Sequence, residues 1–336
     1  MYRQDEPSTF AAGRRVFSMV PAFTLLFTLL FALPLPANEA GDGPPEWAVP
    51  RAGSPPPHPT DPAKTFTVPG SDLALTQEQI DNPFNAPDWF PDEHAPMPDI
   101  VKHGREPGVF ACAMCHLASG AGHPQSARLA GQSADYLMRQ LQAFGNGDRN
   151  SYLGDFIDNL HTLESDQDAR EAAQWFAALT PQRHQQVIET DTVPMTTFYG
   201  NTFMRVVDEE AAGSEPLDGR IIEVPEDYRA VENRSPRGHF LTYVPPGSLE
   251  RGRQIAEGGS GLAPCASCHG ADLRGTALGP SLAGSFPTYL IRQLYDFRSG
   301  KRRGIADQTG YMGTSSKMLS EQDIVDVAAY LGSLEP

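Results

Sequence analysis

Basic residues are scarce in this chain: 26 Lys and Arg stand against 42 Asp and Glu, a net charge of −16 over 336 residues. Phosphate backbones need a basic surface, so this balance argues against nucleic acid as a partner. It suits a protein that meets its partners through charge-steered encounters. Cysteine is scarcer still, with only Cys112, Cys115, Cys265 and Cys268. Four cysteines in an exported chain normally invite a disulfide reading, but here they fall as two Cys-x-x-Cys pairs, each followed by His. The βαβ pattern that surrounds a thioredoxin-type dithiol is missing. With 40% hydrophobic and 20% charged residues, the length is enough for two modest domains with their own cores.

Arg14 and Arg15 precede an apolar run over 16–33, and small residues and prolines follow to Ala40. Residues 1–40 therefore read as a secretory signal peptide, or as an N-terminal anchor if left uncut. Residues 41–97 form a Pro/Gly-rich tether and lead-in, extended and poorly ordered over 38–70.

An internal repeat follows. Residues 112–149 align without a gap on 265–302, with 17 identities in 38 positions. Tyr136, Gln140, Phe144 and Arg149 match Tyr289, Gln293, Phe297 and Arg302. A second block matches 165–179 with 320–334. Each copy reads as helices: Ser133 caps one carrying Tyr136, Leu137, Gln140, Leu141 and Phe144, and Gly145 or Gly147 ends it. Ser165 and Ser320, each with an Asp three residues on, open the last helix of each copy in the manner of a capping box. Short helices over 98–104 and 248–257 precede the cysteine pairs. The expected architecture is mainly α: helical domains over 98–182 and 246–336, joined by an irregular connector over 183–245 that wraps the domains and has room for a short hairpin.

Cys112-Ala113-Met114-Cys115-His116 and Cys265-Ala266-Ser267-Cys268-His269 carry the chemistry. Two thiols three residues apart reach the two vinyl groups of one haem, and the adjacent imidazole lies beneath the iron. A zinc half-site would also use Cys-x-x-Cys, but it does not require His next door in both copies. The expectation is two covalently bound haem c groups. Each also supplies apolar filling to a unit too small to bury a large core of its own.

The string CxxCHG…P-x-LAG…YL-RQL-x-x-F-x-x-G-x-R…M…LS-x-x-DI…AAYL resembles class I cytochrome c, in the tandem two-haem form of the cytochrome c4 group. The likeness covers 98–182 and 246–336. It implies an α-helical fold and one-electron transfer. It also implies a backbone carbonyl accepting from each proximal imidazole, at Pro280 and, in the first copy, at Ala127. The family's sixth ligand is a methionine before the last helix. Met312 stands at that spacing, while Met318 reads as packing. The corresponding place in the first copy is Ile157 in GDFIDNLHTL, which cannot bind iron. His161 is the first candidate there. Met195, Met204 or His184 from the connector, or an open site, are the alternatives. His/His ligation in the first half and His/Met in the second would send electrons from first to second.

Arg139 and Arg292, at equal places, are candidates to pair with haem propionates or to stabilise the helix surface. His94, His103, His123, His184 and His239 read as solvent-facing or hydrogen-bonded, and Glu209-Glu210 as a solvated face. The function expected is single-electron transfer without catalysis, in the periplasm, either free or anchored to the cytoplasmic membrane through the N-terminus. The expected partners are a dehydrogenase as donor and an oxidase or another cytochrome as acceptor. A dihaem peroxidase-like enzyme with an open first haem, or a cytochrome subunit of a dehydrogenase complex, is the alternative.

Overall fold

Helices need caps and apolar stripes, and the two repeats supply both. A computed structural model describes residues 43–51, 61, 63–152, 163, 165–199 and 203–336 of the chain. The expected signal segment, Ile157 and His161 lie outside them. The helices are α1 (Gln77–Asp81), α2 (Asp99–Lys102), α3 (Ala113–His116), α4 (Ala134–Gly145), α5 (Asp166–Ala177), α6 (Tyr228–Glu232), α7 (Ser248–Ala256), α8 (Ala266–His269), α9 (Pro287–Ser299), α10 (Tyr311–Met318) and α11 (Glu321–Ser333). None of them is long and apolar enough to cross a membrane.

Ser133 caps α4 by accepting from Tyr136 N, and Ser165 caps α5 by accepting from Asp168 N. Ser320 and Asp323 form a complete capping box at α11. The first half buries Ile100, Val101, Met114, Leu137, Trp175 and Phe176 together. The second buries Ile255, Leu290, Ile291, Tyr295, Ile324 and Ala328. In each core the residues recur every three or four places along the helices, so one stripe per helix faces inward.

The connector departs from expectation. It is not irregular but rich in strands: after β1 (Thr65–Phe66) and β2 (Leu75–Thr76) of the lead-in come β3 (Gln185–Glu189), β4 (Thr192–Pro194), β5 (Thr196–Tyr199), β6 (Met204–Val207), β7 (Ser214–Pro216), β8 (Ile222–Pro225) and β9 (Phe240–Val244). β9 lies between β3, which it pairs in parallel, and β8, which it pairs antiparallel. Its β-branched pieces bury Val193, Leu217, Ile222 and Val224 in a small core of their own. "Mainly α" thus holds for the two repeats and not for the insert between them.

The lead-in is likewise more folded than a tether. Trp89 is buried with Val68, Ile80 and Phe90, and its indole N–H donates to the Asn233 carbonyl at 2.8 Å. Arg234 then donates to the carbonyls of Ile80 and Met114, both at 3.2 Å, tying lead-in, connector and first half together. On the other side Gln185 of β3 donates to the carbonyls of Ser285 and Gly332, both at 3.1 Å, and accepts from Thr242. The insert is therefore pinned to both halves.

Candidate functional site

The two histidines are positioned by the same local device. A one-turn helix begins at each first cysteine and ends at the His, which places both cysteines and the imidazole on one short coil. His116 Nδ1 lies 2.8 Å from the Ala127 carbonyl, and His269 Nδ1 lies 2.8 Å from the Pro280 carbonyl. The carbonyl must face a donor, which places the proton on Nδ1 and leaves Nε2 as the free lone pair. Burial drives the His116 pKa down to about 4 and lowers that of His269, so both rings are neutral and able to ligate. Gly279 permits the close approach in the second half, since a Cβ there would sit 2.9 Å from His269 Nδ1. Burial pushes the Cys112 thiol up to about 12 and raises Cys265 as well, so neither is poised as a free thiolate nucleophile.

Both Cys-x-x-Cys-His strings open onto one continuous cavity of about 890 Å³. That is the upper range of cofactor-sized pockets. Leu137, Phe144, Phe176, Leu290, Phe297 and Leu331 are among its apolar walls. Met312 lines it, held by Asp307, whose carboxylate accepts from the backbone N–H groups of Met312 (3.3 Å) and Gly313 (2.8 Å). Met318 does not line it and is 50% exposed. Of the connector candidates, Met204 lines the cavity and Met195 and His184 do not.

The cavity floor is the junction of the two halves. Arg149 and Arg302 pair as an antiparallel bridge between matching segments, flanked by Asn150 N to Lys301 O at 2.6 Å and Arg303 N to Asp148 O at 2.9 Å. Equal segments meeting antiparallel make a local two-fold, so each contact recurs in mirror roles. Arg149 donates to Gln140 in its own half (3.0 Å) and to Tyr289 (3.4 Å) and Gln293 (3.2 Å) across the junction. Arg302 donates to Gln293 in its own half and to Tyr136 and Gln140 across it, each at 2.8 Å. Burial alone would raise the Tyr136 pKa, but Arg302 and Arg149 outweigh it and lower the value.

Among the described residues, the carboxylate that acts on both of these buried guanidiniums is Asp296, whose own pKa burial raises to about 6. Their surplus positive charge calls for anionic groups inside the cavity. A porphyrin with two carboxylates and a large apolar face fits this lining. It also fits two neutral imidazoles with Nε2 free and two cysteine pairs at the rim.

Sequence reasoning favoured a different pair of arginines. Arg139 does line the cavity, but Arg292 is drawn away: it donates to the carbonyls of Ala48 (2.8 Å) and Pro124 and lies beside Glu223. Arg149 and Arg302 were visible as identities in the repeat, and their recurrence two residues after Gly147 and Gly300 was the available signal. His123 is also more than a surface residue. It lines the cavity, bonds Gln125 Oε1 at 2.8 Å, and is driven by burial to a pKa of about 3. His94 bonds Asp88, and His184 is buried and stacks on His239. His103 and Glu209-Glu210 are exposed.

The family model described as cytochrome c matches residues 249–335. A cytochrome c4 from Pseudomonas aeruginosa is 40% identical over 95 residues, which are 28% of this chain and 45% of that protein. The match to that relative therefore spans less than half of its length. Cytochrome c-554(548) from Halomonas halodenitrificans is 37% identical over 81 residues, 24% of this chain and 95% of that protein. A cytochrome c4 from Azotobacter vinelandii is 24% identical over 236 residues, 66% of this chain and 84% of that protein.

Proposed function

Since the chain belongs to the cytochrome c family, electron-transfer proteins that carry covalently bound haem c, we propose that it is a dihaem carrier of single electrons. Haem c supplies a one-electron iron couple when bound. Cys112 and Cys115 would hold one group as thioethers, and Cys265 and Cys268 the other. His116 and His269 would be the proximal iron ligands and Met312 the distal ligand of the second. The observation that carries this reading is the shared cavity with two neutral imidazoles, each turned by a carbonyl 2.8 Å from Nδ1.

The chain's own part is to fix and to shield. The carbonyls of Ala127 and Pro280 hold each imidazole in one tautomer. Asp307 fixes the backbone at Met312, so that this thioether is presented without searching. Arg149 and Arg302 would balance carboxylate charge at the junction of the two halves. The apolar walls exclude water and keep reorganisation small during transfer.

Residues 1–40 would export the chain, and the acidic surface would meet periplasmic or membrane-associated redox proteins: a dehydrogenase as donor, an oxidase or another cytochrome as acceptor. His161 is retained as the proposed distal ligand of the first group; it lies outside the described residues. Pyridine haemochrome and intact mass on the mature chain should give two haems per polypeptide, and C265A/C268A should give one. A mass of polypeptide alone would end this reading. Reduced protein mixed with hydrogen peroxide should reoxidise slowly; fast turnover would favour the peroxidase-like alternative.

A further inference from the structure

The peptide group between Pro280 and Ser281 is engaged at both ends. Its carbonyl lies 2.8 Å from His269 Nδ1. Its N–H, on Ser281, donates at 3.0 Å to Oε1 of Gln132, which belongs to the first half. The Gln132 amide then donates Nε2 to the Ser281 carbonyl at 2.9 Å, so it docks on both backbone groups of Ser281, as a neighbouring strand would. Gln132 is 6% exposed. Next to it Arg128, also buried, donates to Ser281 Oγ at 2.9 Å and to the Ala283 carbonyl at 2.7 Å.

An amide whose N–H is hydrogen-bonded carries more negative charge on its oxygen, because bonds in a chain polarise one another. The Pro280 oxygen therefore pulls harder on the His269 Nδ1 proton. The ring gains imidazolate character, and its Nε2 becomes a stronger donor to whatever it ligates. A stronger donor favours the oxidised metal.

Among the described residues the first half has no equivalent tie. The repeat places Ser281 where Arg128 stands and Ser285 where Gln132 stands, and a serine side chain is too short to span the junction. Among the described residues, no hydrogen bond from the second half reaches the Arg128 N–H, the group that would polarise the Ala127 carbonyl in the same way.

We infer that Gln132 is a positioning residue through which the first half tunes the second: by accepting from Ser281 N–H it polarises the Pro280 carbonyl, strengthens His269 as a ligand and lowers the potential of the second haem alone. The inference rests on the dihaem reading. A wild-type chain without haem would defeat that reading before this one could be measured, whereas the variants below use haem-loaded protein and test Gln132 only.

Gln132→Leu removes the acceptor. The Nδ1–H resonance of His269 should move upfield. At a fixed solution potential the reduced-to-oxidised ratio of the second haem should rise roughly threefold, with the first haem unmoved. Gln132→Glu keeps an oxygen for Ser281 N–H but loses the donor to Ser281 O. It should hold the resonance at or downfield of its wild-type position. A merely structural role would make the two variants behave alike, because both spoil the bidentate dock. The inference is overturned if Gln132→Leu leaves the His269 resonance and the second potential unchanged, or moves both haems equally. It is also overturned if Gln132→Glu shifts the resonance upfield. That last result is decisive even if the leucine variant does not fold.

Discussion

In the second half a nine-residue helix, α7, crosses the last helix, α11, at Gly252; in the first half the matching place is held by the four residues of α2. Yet His116 and His269 meet their carbonyls at the same distance. What the first half lacks in its own helices it takes from outside. Trp175 donates to Ala95 of the lead-in, and Arg234 of the connector bonds the Met114 carbonyl between the two cysteines. The difference teaches that the imidazole-carbonyl device is local and survives changes in the scaffold around it. Each half draws its surrounding support from different elements.

The largest test of this comparison is at the metal site. Met312→Leu should abolish the methionine-iron absorption of the oxidised protein and lower the potential of the second haem, since thioether ligation raises it. Met318→Leu should leave both alone, because Met318 is half exposed and outside the cavity. Absorption lost in the second variant and kept in the first would reverse the assignment.

Gly252→Ala comes next. A Cβ there would lie 2.0 Å from the Asp326 carbonyl oxygen, so α7 and α11 must separate. Overpacking of this kind costs about 3 kcal/mol. Calorimetry of the haem-loaded chain should show the second half melting earlier and the first unchanged. A single shifted transition would show that the halves unfold together.

Much of this was legible in the sequence. The repeat and both long helices of each half follow from spacing, because helical packing imposes fixed intervals; Met312, which lines the cavity, was singled out by the resemblance to class I cytochrome c. The connector was not legible, since its strands are three to five residues long and broken by turns, below the length at which alternation declares itself. The lead-in was misread for a related reason. Its Pro and Gly content signals a tether, but Trp89 and Ile80 are buried by contacts 144 and 154 residues away, which no local pattern encodes. Arg292 was read as its repeat partner Arg139, until the connector and lead-in supplied it with Ala48, Pro124 and Glu223.

Glu223 sharpens that point, because the connector covers α9 of the second half and its Thr288, whereas Asp135 at the matching place in α4 is exposed. Burial raises the Glu223 pKa from an ordinary 4.5 to about 7. A raised carboxyl pKa favours the protonated fold. Stability should therefore be full below about pH 4.5 and fall as pH rises to about 7, by roughly 3 kcal/mol, staying lower above that. Glu223→Gln should remove this slope. Urea unfolding at pH 4.5 and pH 8 checks it: the variant should match the wild type at the lower pH and exceed it at the higher.

The residue after each histidine separates the halves by backbone strain. Gly270 has φ +88°, which glycine adopts freely, while Leu117 holds φ +62° and ψ 161° in the same place. That region is nearly closed to a residue with a Cβ and costs about 2 kcal/mol. Leu117→Gly should stabilise the first half by about that amount, less the apolar contact it gives up. A lower melting temperature for the first half would show that the leucine side chain outweighs the strain.

The smallest difference lies at the caps of the last helices. Ser320 and Asp323 bond each other reciprocally, with Asp323 Oδ2 accepting from Ser320 N at 2.9 Å. Among the described residues the Ser165 cap has no return bond from its aspartate: Ser165 Oγ accepts from Asp168 N, and both oxygens of Asp168 are taken by Arg105 at 2.6 and 3.0 Å. One carboxylate therefore closes a local box and the other holds the segment before the cysteines to α5. Ser320→Ala and Ser165→Ala should each cost about 1 kcal/mol, the usual value of a cap. The aspartates should part. Asp323→Ala removes one exposed helix-end bond, whereas Asp168→Ala strips Arg105 of a bidentate partner that is itself 7% exposed, and should cost more. Equal losses from the two aspartate variants, measured by chemical denaturation, would mean that Arg105 contributes nothing and that the first half relies on its lead-in for packing alone.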